Sequence, residues 1–303
     1  MSSSNPLENL SITKIYTIDL DISADWIVAS IEDRLFLCDH EGEIRIYSYA
    51  SRLRRQPLIT EHFHLSTIRL ISSFTVTHDY LIAFESDTQM LSLHSYHGAL
   101  LIRLRFPYDP LMIIRSDYNR KKNQIWTCSR SKRQCFQFNL HQNMKEFKPL
   151  EQLDFKHPIS DILIDPVGIS TDEQERIAVH DVNRTTSDRL LVFTNEHNMI
   201  IPLDLIKYSD RQLTSRIDRV LLVPNHSNLL VLVYAPQSTS SNLHEIVLLD
   251  IESQPTEILY RFSEPYGIRN IDMTMNGELV YSVTPPANKR LPPKVHIYSI
   301  IHG

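Results

Sequence analysis

The sequence predicts an all-β protein, a six-bladed β-propeller of four-stranded blades that takes in nearly the whole chain. Three observations predict this fold. Apolar residues alternate with a period of two far more often than they recur at three or four positions. One alternating segment returns six times at intervals of about 50 residues, close to the length of a propeller blade. Each interval has room for four short strands separated by turns.

The recurring segment is a strand of alternating apolar residues, first present at Ile44–Tyr49. Its six copies are centred on Ile46, Leu93, Phe138, Val192, Leu248 and Ile297. Successive centres lie 47, 45, 54, 56 and 49 residues apart, so six units account for the chain. Seven blades are the alternative. Two packed β-sandwiches would also fit the length, but they would not explain six copies at one spacing.

The third unit shows the four strands of a blade most clearly. An aromatic residue, a spacer and a proline open this unit at Phe106–Pro110, and two other units open in the same way. Proline suits this place because it lacks an N–H and therefore belongs before a strand. The strands predicted for the third unit are 112–116, 124–128, 134–139 and 151–155.

The last unit is predicted to take its fourth strand from the beginning of the chain. It offers strands at Ile268–Met273, Glu278–Val283 and Lys294–Ile300 before the sequence ends. Residues 12–19 are rich in isoleucine and threonine, which suits a strand. We expect them to pair with Lys294–Ile300 and close the ring, because an unpaired edge promotes aggregation. The expected organisation is a disordered tail at 1–11 and a single domain at 12–303.

The composition excludes several classes of function. The six glycines among 303 residues are never closer than ten positions, whereas phosphate-binding loops need clustered glycines. The net charge of −5 has the wrong sign for a general nucleic-acid binder. No apolar stretch approaches the roughly 20 residues of a membrane span, and the chain does not start with a secretory signal. We expect a cytoplasmic monomer without a cofactor or a membrane partner.

Cysteine and histidine residues suggest two small sites. Three cysteines suit a reducing compartment. Cys128 and Cys135 lie on strands predicted to pair and are placed to form a disulfide, but we expect two packed thiols. His62 and His64 share one face of a predicted outer strand, yet no third metal ligand is recognisable nearby. A water-facing outer strand is therefore the simpler interpretation of the two histidines.

Residues in the first and last units resemble the NHL repeat. In Trp26–Ser30, Arg34–Asp39 and Ile44–Tyr47, a strand is followed by a hydrophobic strand that ends in aspartate and, after a short turn, by a third strand. Pro265–Ile268 is similar to the Pro-x-Gly-Ile opening of that family. The resemblance covers the whole chain in architecture and these two units in residue detail. It implies a rigid platform for protein or RNA partners.

Long polar loops indicate where such a platform would bind. Strands alternate in direction, so every connection between a second and a third strand lies on one side of the disc. Those at Asp181–Asp188, Ala235–His244 and Pro285–Pro293 are long, and long loops on a rigid scaffold usually carry binding function. The leading hypothesis is a non-catalytic, NHL-like or WD40-like scaffold that binds a protein or peptide. The candidate partner-binding residues are Arg130, Lys132, Arg133, Asn183, Arg184, Asn242, Lys289 and Arg290.

Two other functions remain open. Asp161, Asp165 and Asp272 lie on predicted innermost strands, and channel-lining acids hold a divalent cation in lactonase-like propellers. A metal-dependent hydrolase is therefore the first alternative. RNA binding is the second, because residues 100–150 contain eleven Lys or Arg against three Asp or Glu. The two basic clusters of this region, at 115–122 and 130–133, are expected on opposite faces of the third blade.

Overall fold

The structure of the protein is a computed structural model. It describes residues 10–20, 27–31, 34–48, 58–65, 70–85, 87–107, 110–115, 123–129, 134–146, 149–154, 166–171, 176–182, 188–193, 203–204, 215–224, 226, 228–236, 243–251, 257–274, 276–284 and 291–302. Within these ranges the regular elements are β-strands, and they form six antiparallel sheets of four strands each. None of the described segments is a helix of the length and hydropathy that a membrane crossing requires.

Strand β1 (Leu10–Asp19) belongs to the last sheet, and the next twelve strands form sheets 1 to 3 in chain order. Sheet 1 consists of β2 (Ile27–Ile31), β3 (Arg34–Cys38), β4 (Glu43–Ser48) and β5 (Leu58–His64). Sheet 2 consists of β6 (Ser73–Val76), β7 (Leu81–Glu85), β8 (Met90–His94) and β9 (Leu100–Arg105). Sheet 3 consists of β10 (Pro110–Arg115), β11 (Gln124–Ser129), β12 (Gln134–Asn139) and β13 (Pro149–Asp154).

The remaining strands form sheets 4 to 6. Sheet 4 consists of β14 (Pro166–Thr171), β15 (Ile177–Val182), β16 (Asp188–Phe193) and β17 (Leu203–Asp204). Sheet 5 consists of β18 (Ser215–Leu222), β19 (Leu229–Pro236), β20 (His244–Asp250) and β21 (Glu257–Glu264). Sheet 6 consists of β22 (Gly267–Met273), β23 (Glu278–Thr284) and β24 (Lys294–His302), with β1 as its outermost strand.

The pairing of β1 with β24 brings together segments from the two ends of the sequence. The pair is antiparallel, with Ile12 opposite Ile300 and Asp19 opposite Lys294. Strand β1 begins at Leu10, two residues before the start predicted from the sequence. Ile18 and Leu20 pack with residues of sheets 1 and 6, whereas Ile12 packs into the core between sheets 5 and 6. The first strand of the chain therefore contributes apolar side chains to two separate cores.

The first strands of the six sheets lie side by side. Strand β6 lies beside β2 and β10, β14 lies beside β10 and β18, and β22 lies beside β18 and β2. Apolar side chains fill the spaces between neighbouring sheets, so the second and third strands are buried on both faces. This explains runs such as Leu229–Tyr234, which is apolar throughout and does not alternate.

A repeated irregularity marks the outermost strands. In five of the described sheets, one residue of the fourth strand has no partner on the third strand, which is a β-bulge. The extra residues are Ile15, Thr60, Leu101, Leu150 and Leu259. A bulge twists an edge strand and hinders the addition of a strand from another molecule. The recurrence of the bulge is a structural sign of the repeat that the amino-acid pattern does not reveal.

Candidate functional site

The candidate partner-binding residues flank described strands but are not themselves described. Arg130, Lys132, Arg133, Asn183, Arg184, Asn242, Lys289 and Arg290 lie outside the described residues. Each of the four segments that contain them connects the second strand of a sheet to its third strand. The flanking strands pair in the antiparallel direction in sheets 3, 4, 5 and 6. Each segment therefore leaves and re-enters its own sheet at the same end, which is the corresponding end in all four sheets.

The same end of sheets 1 and 2 is built from tight turns. In the turn of sheet 1, Asp39 accepts hydrogen bonds from the backbone N–H groups of Glu41 and Glu43, at 2.9 and 2.7 Å from its Oδ1. Gly42 follows with φ of 93°, a conformation that favours glycine. In sheet 2, β7 and β8 are separated by four residues, and Gln89 has φ of 54°. Sheets 4, 5 and 6 have longer connections here, at 183–187, 237–243 and 285–293.

A buried carboxylate lies between sheets 5 and 6 at this end. Glu264, at the end of β21, accepts a hydrogen bond from the Tyr281 hydroxyl at 2.9 Å and one from the Tyr266 N–H at 3.2 Å. Both carboxylate oxygens are therefore engaged, and Glu264 is only 5% exposed. Burial, together with the neighbouring charge of Glu264, raises the pKa of Tyr281 well above its ordinary value. The hydrogen bond between Tyr281 and Glu264 therefore links sheets 5 and 6, and the Tyr281 phenol stays neutral at physiological pH.

The charged side chains nearby are also paired. Lys294 Nζ lies 3.1 Å from Asp19 Oδ1, which joins the start of β24 to the end of β1. His244 Nδ1 accepts the N–H of Ile268 at 3.4 Å and so joins sheet 5 to sheet 6. Glu264 and His244 are not among the candidate residues predicted from the sequence, because neither residue belongs to a recognised motif. The available signal in the sequence is the position of Glu264 directly before Pro265, at the turn that leads into β22.

Asp272, a candidate channel ligand for a metal, makes a contact between sheets instead. Its Oδ2 accepts hydrogen bonds from the Ser30 N–H at 2.8 Å and from the Ser30 hydroxyl at 3.0 Å. Sheets 4 and 5 have a similar bond, in which Ser170 Oγ accepts the N–H of Leu222 at 3.0 Å. These bonds stabilise the packing of neighbouring first strands. Asp161 and Asp165 lie outside the described residues.

Replacing Asp272 tests this structural role. We expect Asp272→Ala to lower the free energy of unfolding by about 1–3 kcal/mol, because it leaves the Ser30 N–H without its acceptor. Asp272→Asn keeps an oxygen acceptor at the same position and should cost less than about 1 kcal/mol. Urea denaturation of the three proteins measures the difference. Equal stabilities of the Ala and Asn variants, or a large stabilisation of the wild type by Ca²⁺, would contradict the assignment.

The histidine pair does not form part of a metal site in the described structure. His62 Nε2 lies 3.1 Å from Glu43 Oε1 on the surface of sheet 1. Phe63, between the two histidines, packs against the core shared by sheets 1 and 2. Across the described ranges, no three His, Cys, Asp or Glu side chains are grouped so as to hold a metal ion.

The expectation of packed thiols at Cys128 and Cys135 is wrong for Cys135, and the side chain of Cys128 lies outside the described residues. Cys135 is disulfide-bonded, whereas Cys38 is a buried free thiol. In the backbone register of β11 and β12, Cys135 lies directly opposite Cys128.

The two basic segments of the third unit connect to different ends of its second strand. The segments 116–122 and 130–133 connect to opposite ends of β11, because β10, β11 and β12 form an antiparallel meander. In sheet 2, Arg103 Nη2 donates to the buried Glu85 at 2.8 Å, and Arg105 Nη2 donates to Gln89 at 3.4 Å. These two arginines therefore interact within the protein. The remaining basic residues at 115–122 and 130–133 have no described side chains.

Comparison with known proteins identifies the fold. No protein-family model matches the chain, and no curated protein matches it in sequence. Among solved structures, the chain is similar to U3-55K with a TM-score of 0.56 and 11% identity, over 96% of this chain and 98% of that one. It is also similar to BamB from Moraxella catarrhalis, with a TM-score of 0.51 and 9% identity, over 97% and 99% of the two chains. Both are β-propellers, and the chain therefore has a β-propeller fold.

Proposed function

We propose that the protein is a closed six-bladed propeller that binds a protein or peptide on the face carrying the connections between second and third strands. The six described sheets are its blades in this proposal. The side-by-side order of the first strands and the pairing of β1 with β24 support a closed ring. The similarity of the first and last units to NHL repeats agrees with such a platform.

The observation that carries the proposed binding face is the unequal length of these connections. Sheets 1 and 2 turn within four residues, whereas sheets 5 and 6 use 237–243 and 285–293. A closed set of packed sheets is a rigid support, and variable loops on a rigid support are where proteins usually bind their partners. Asp272, on the first strand of sheet 6, is already engaged with Ser30. A hydrolase site at this position therefore receives no support from the described residues.

The connection in sheet 5 provides the test. The segment to exchange is 237–242, because Ala235 and His244 belong to β19 and β20 and are buried. We expect its replacement by Asn-Gly to leave the melting temperature within a few degrees, since loop length has a small effect on stability. Recovery of the partners that the wild type captures in cells, measured by quantitative mass spectrometry, should fall.

The matched control shortens residues 252–256, which connect β20 to β21 at the opposite end of the same sheet. This variant should keep both the melting temperature and the captured partners. Equal partner recovery by the two shortened proteins would argue against the proposed face. A large loss of stability on replacing 237–242 would instead show that this segment is part of the packed structure.

A further inference from the structure

The connections between second and third strands differ in charge from sheet to sheet. In sheets 3, 4 and 6 they span residues 130–133, 183–187 and 285–293, and together they contain six Lys or Arg and no Asp or Glu. We call these three segments the cationic connections. The turns of sheets 1 and 2, at 39–42 and 86–89, contain three Asp or Glu and no Lys or Arg. The connection of sheet 5 is uncharged.

The excess of positive charge at this end belongs to the cationic connections. The connections from each fourth strand to the next first strand leave their sheets at the same end, because each sheet is an antiparallel meander. They contain four Lys or Arg against six Asp or Glu. The whole chain has a net charge of −5. Cations concentrated on an acidic chain create a local positive potential, which selects for an anionic partner.

Buried acids of the neighbouring strands and turns already have partners inside the protein. Glu85 is 1% exposed and accepts a hydrogen bond from Arg103 Nη2 at 2.8 Å. Asp39 accepts two backbone N–H groups of its own turn, and Glu264 accepts a tyrosine hydroxyl. These three carboxylates are buried and engaged, so they do not offer a free anion to the cationic connections.

The connection of sheet 6 also offers an apolar contact. Leu291, which directly follows Arg290, is 47% exposed. The connection ends at Pro293, whose carbonyl oxygen accepts the N–H of the buried Leu20 at 3.0 Å. This hydrogen bond fixes the end of the connection to the core. An exposed leucine next to cations suits a partner that carries both carboxylates and an apolar side chain.

We propose that the face with the cationic connections binds an acidic peptide segment, in which several Asp or Glu flank an apolar side chain. This inference rests on the proposed function and names the class of its partner. A peptide is favoured over a nucleic acid because six acids lie in the neighbouring connections at the same end. A continuous run of phosphates would meet these acids, whereas a peptide can place carboxylates at the cations alone.

A phage-displayed library of random twelve-residue peptides tests the proposal without a known partner. We expect the peptides enriched by the full chain to contain more Asp and Glu than the unselected library, together with an apolar residue. The best enriched peptide, synthesised and measured by fluorescence anisotropy, should bind several-fold more weakly when the salt concentration is raised from about 0.05 to 0.5 M.

Two variants with the same change in net charge locate the interaction. In the first, glutamine replaces the six cations of the cationic connections, which are Arg130, Lys132, Arg133, Arg184, Lys289 and Arg290. In the matched control, glutamine replaces six cations in connections at the opposite end of sheets 1 and 3, which are Arg52, Arg54, Arg55, Arg120, Lys121 and Lys122.

The first variant should bind the selected peptide about tenfold more weakly than the wild type, which corresponds to a few solvent-exposed ion pairs. The control variant should bind it within about twofold of the wild type, because its cations lie at the other end of the sheets. Melting curves verify that both variants are folded.

The outcomes separate this inference from the proposed function. If no peptide is enriched, both fail. If peptides are enriched without an excess of Asp and Glu, or if the first variant binds the acidic peptide as well as the wild type does, only this inference fails. An equal loss of binding in both variants would also overturn it. So would binding of a twelve-nucleotide oligouridine that the first variant loses, if no acidic peptide is enriched.

Discussion

Deleting residues 1–20 is expected to lower the free energy of unfolding by about 5 kcal/mol or more, a large part of the stability of a typical domain. The deletion removes Ile12, Ile18 and Leu20, which are 8%, 9% and 0% exposed. Burial of each such side chain contributes roughly 1.5–3 kcal/mol. It also removes the whole partner of β24, whose free edge would then present unpaired N–H and C=O groups. We therefore expect aggregation as well as a lower melting temperature.

Chemical denaturation and light scattering measure the two effects. The matched control is a chain without residues 1–9, which keeps all of β1 and should behave like the full protein. A chain without residues 1–20 that remains monomeric and melts at the wild-type temperature would show that β1 is dispensable. The same result would contradict a ring closed by the first strand.

Acid is expected to destabilise the protein through His296. Burial, reinforced by the charges of Lys14 and Lys294, lowers the pKa of His296 to about 4 from its usual 6.5, and Asp19 opposes this shift. The unfolded chain therefore binds a proton at a higher pH than the folded chain does. The free energy of unfolding should fall as the pH drops from 6.5 to 4, by up to about 3 kcal/mol. Above pH 6.5 the contribution of His296 to the free energy of unfolding is fully present and no longer changes with pH.

The low pKa of His296 arises from its position between the paired strands β1 and β24. His296 Nδ1 is 3.0 Å from the Thr17 hydroxyl, and its ring meets Tyr281 edge-on at 5.6 Å. A charged imidazolium at this place would be poorly solvated and close to two lysines. His94 has a pKa that burial also lowers, so it contributes in the same direction.

The substitution His296→Gln shows how much of the pH dependence of stability comes from His296 and how much comes from other groups. Urea denaturation at several pH values between 4 and 7 should give a smaller slope of stability against pH for His296→Gln than for the wild type. The variant His94→Gln is the control for the other histidine whose pKa burial lowers. Identical slopes for the wild type and His296→Gln would contradict the prediction.

The strands of the propeller could be predicted from the sequence because their signals are local. The strands predicted at 124–128 and 134–139 correspond to β11 and β12, and Glu278–Val283 corresponds to β23 with one residue fewer. Alternation of apolar residues and the positions of proline depend only on neighbouring residues, so they can be recognised in one sequence. The predicted bounds of the outer strands were less accurate, because these strands are half-exposed and carry bulges.

The contacts between sheets could not be predicted in the same way. Asp272 was interpreted as a channel acid, since the sequence does not show that the Ser30 N–H lies within hydrogen-bonding distance. Lys14 and Tyr298 lie opposite each other although they are 284 positions apart in the chain, and no local pattern connects them. Cys128 and Cys135 were correctly expected on paired strands, but the redox state was inferred from compartment alone. Such features depend on three-dimensional proximity, which sequence periodicity does not contain.

The pairing of β1 with β24 has a consequence for the synthesis of the protein. Thr17 and His296 are 279 residues apart, so β1 leaves the ribosome well before β24 and has to wait for it before the two strands can pair. At ordinary rates of translation this interval is on the order of 15 to 60 s. During that time β1 is a nascent strand rich in isoleucine and threonine whose partner strand has not yet been made. Its two charged residues, Lys14 and Asp19, oppose association with other nascent chains.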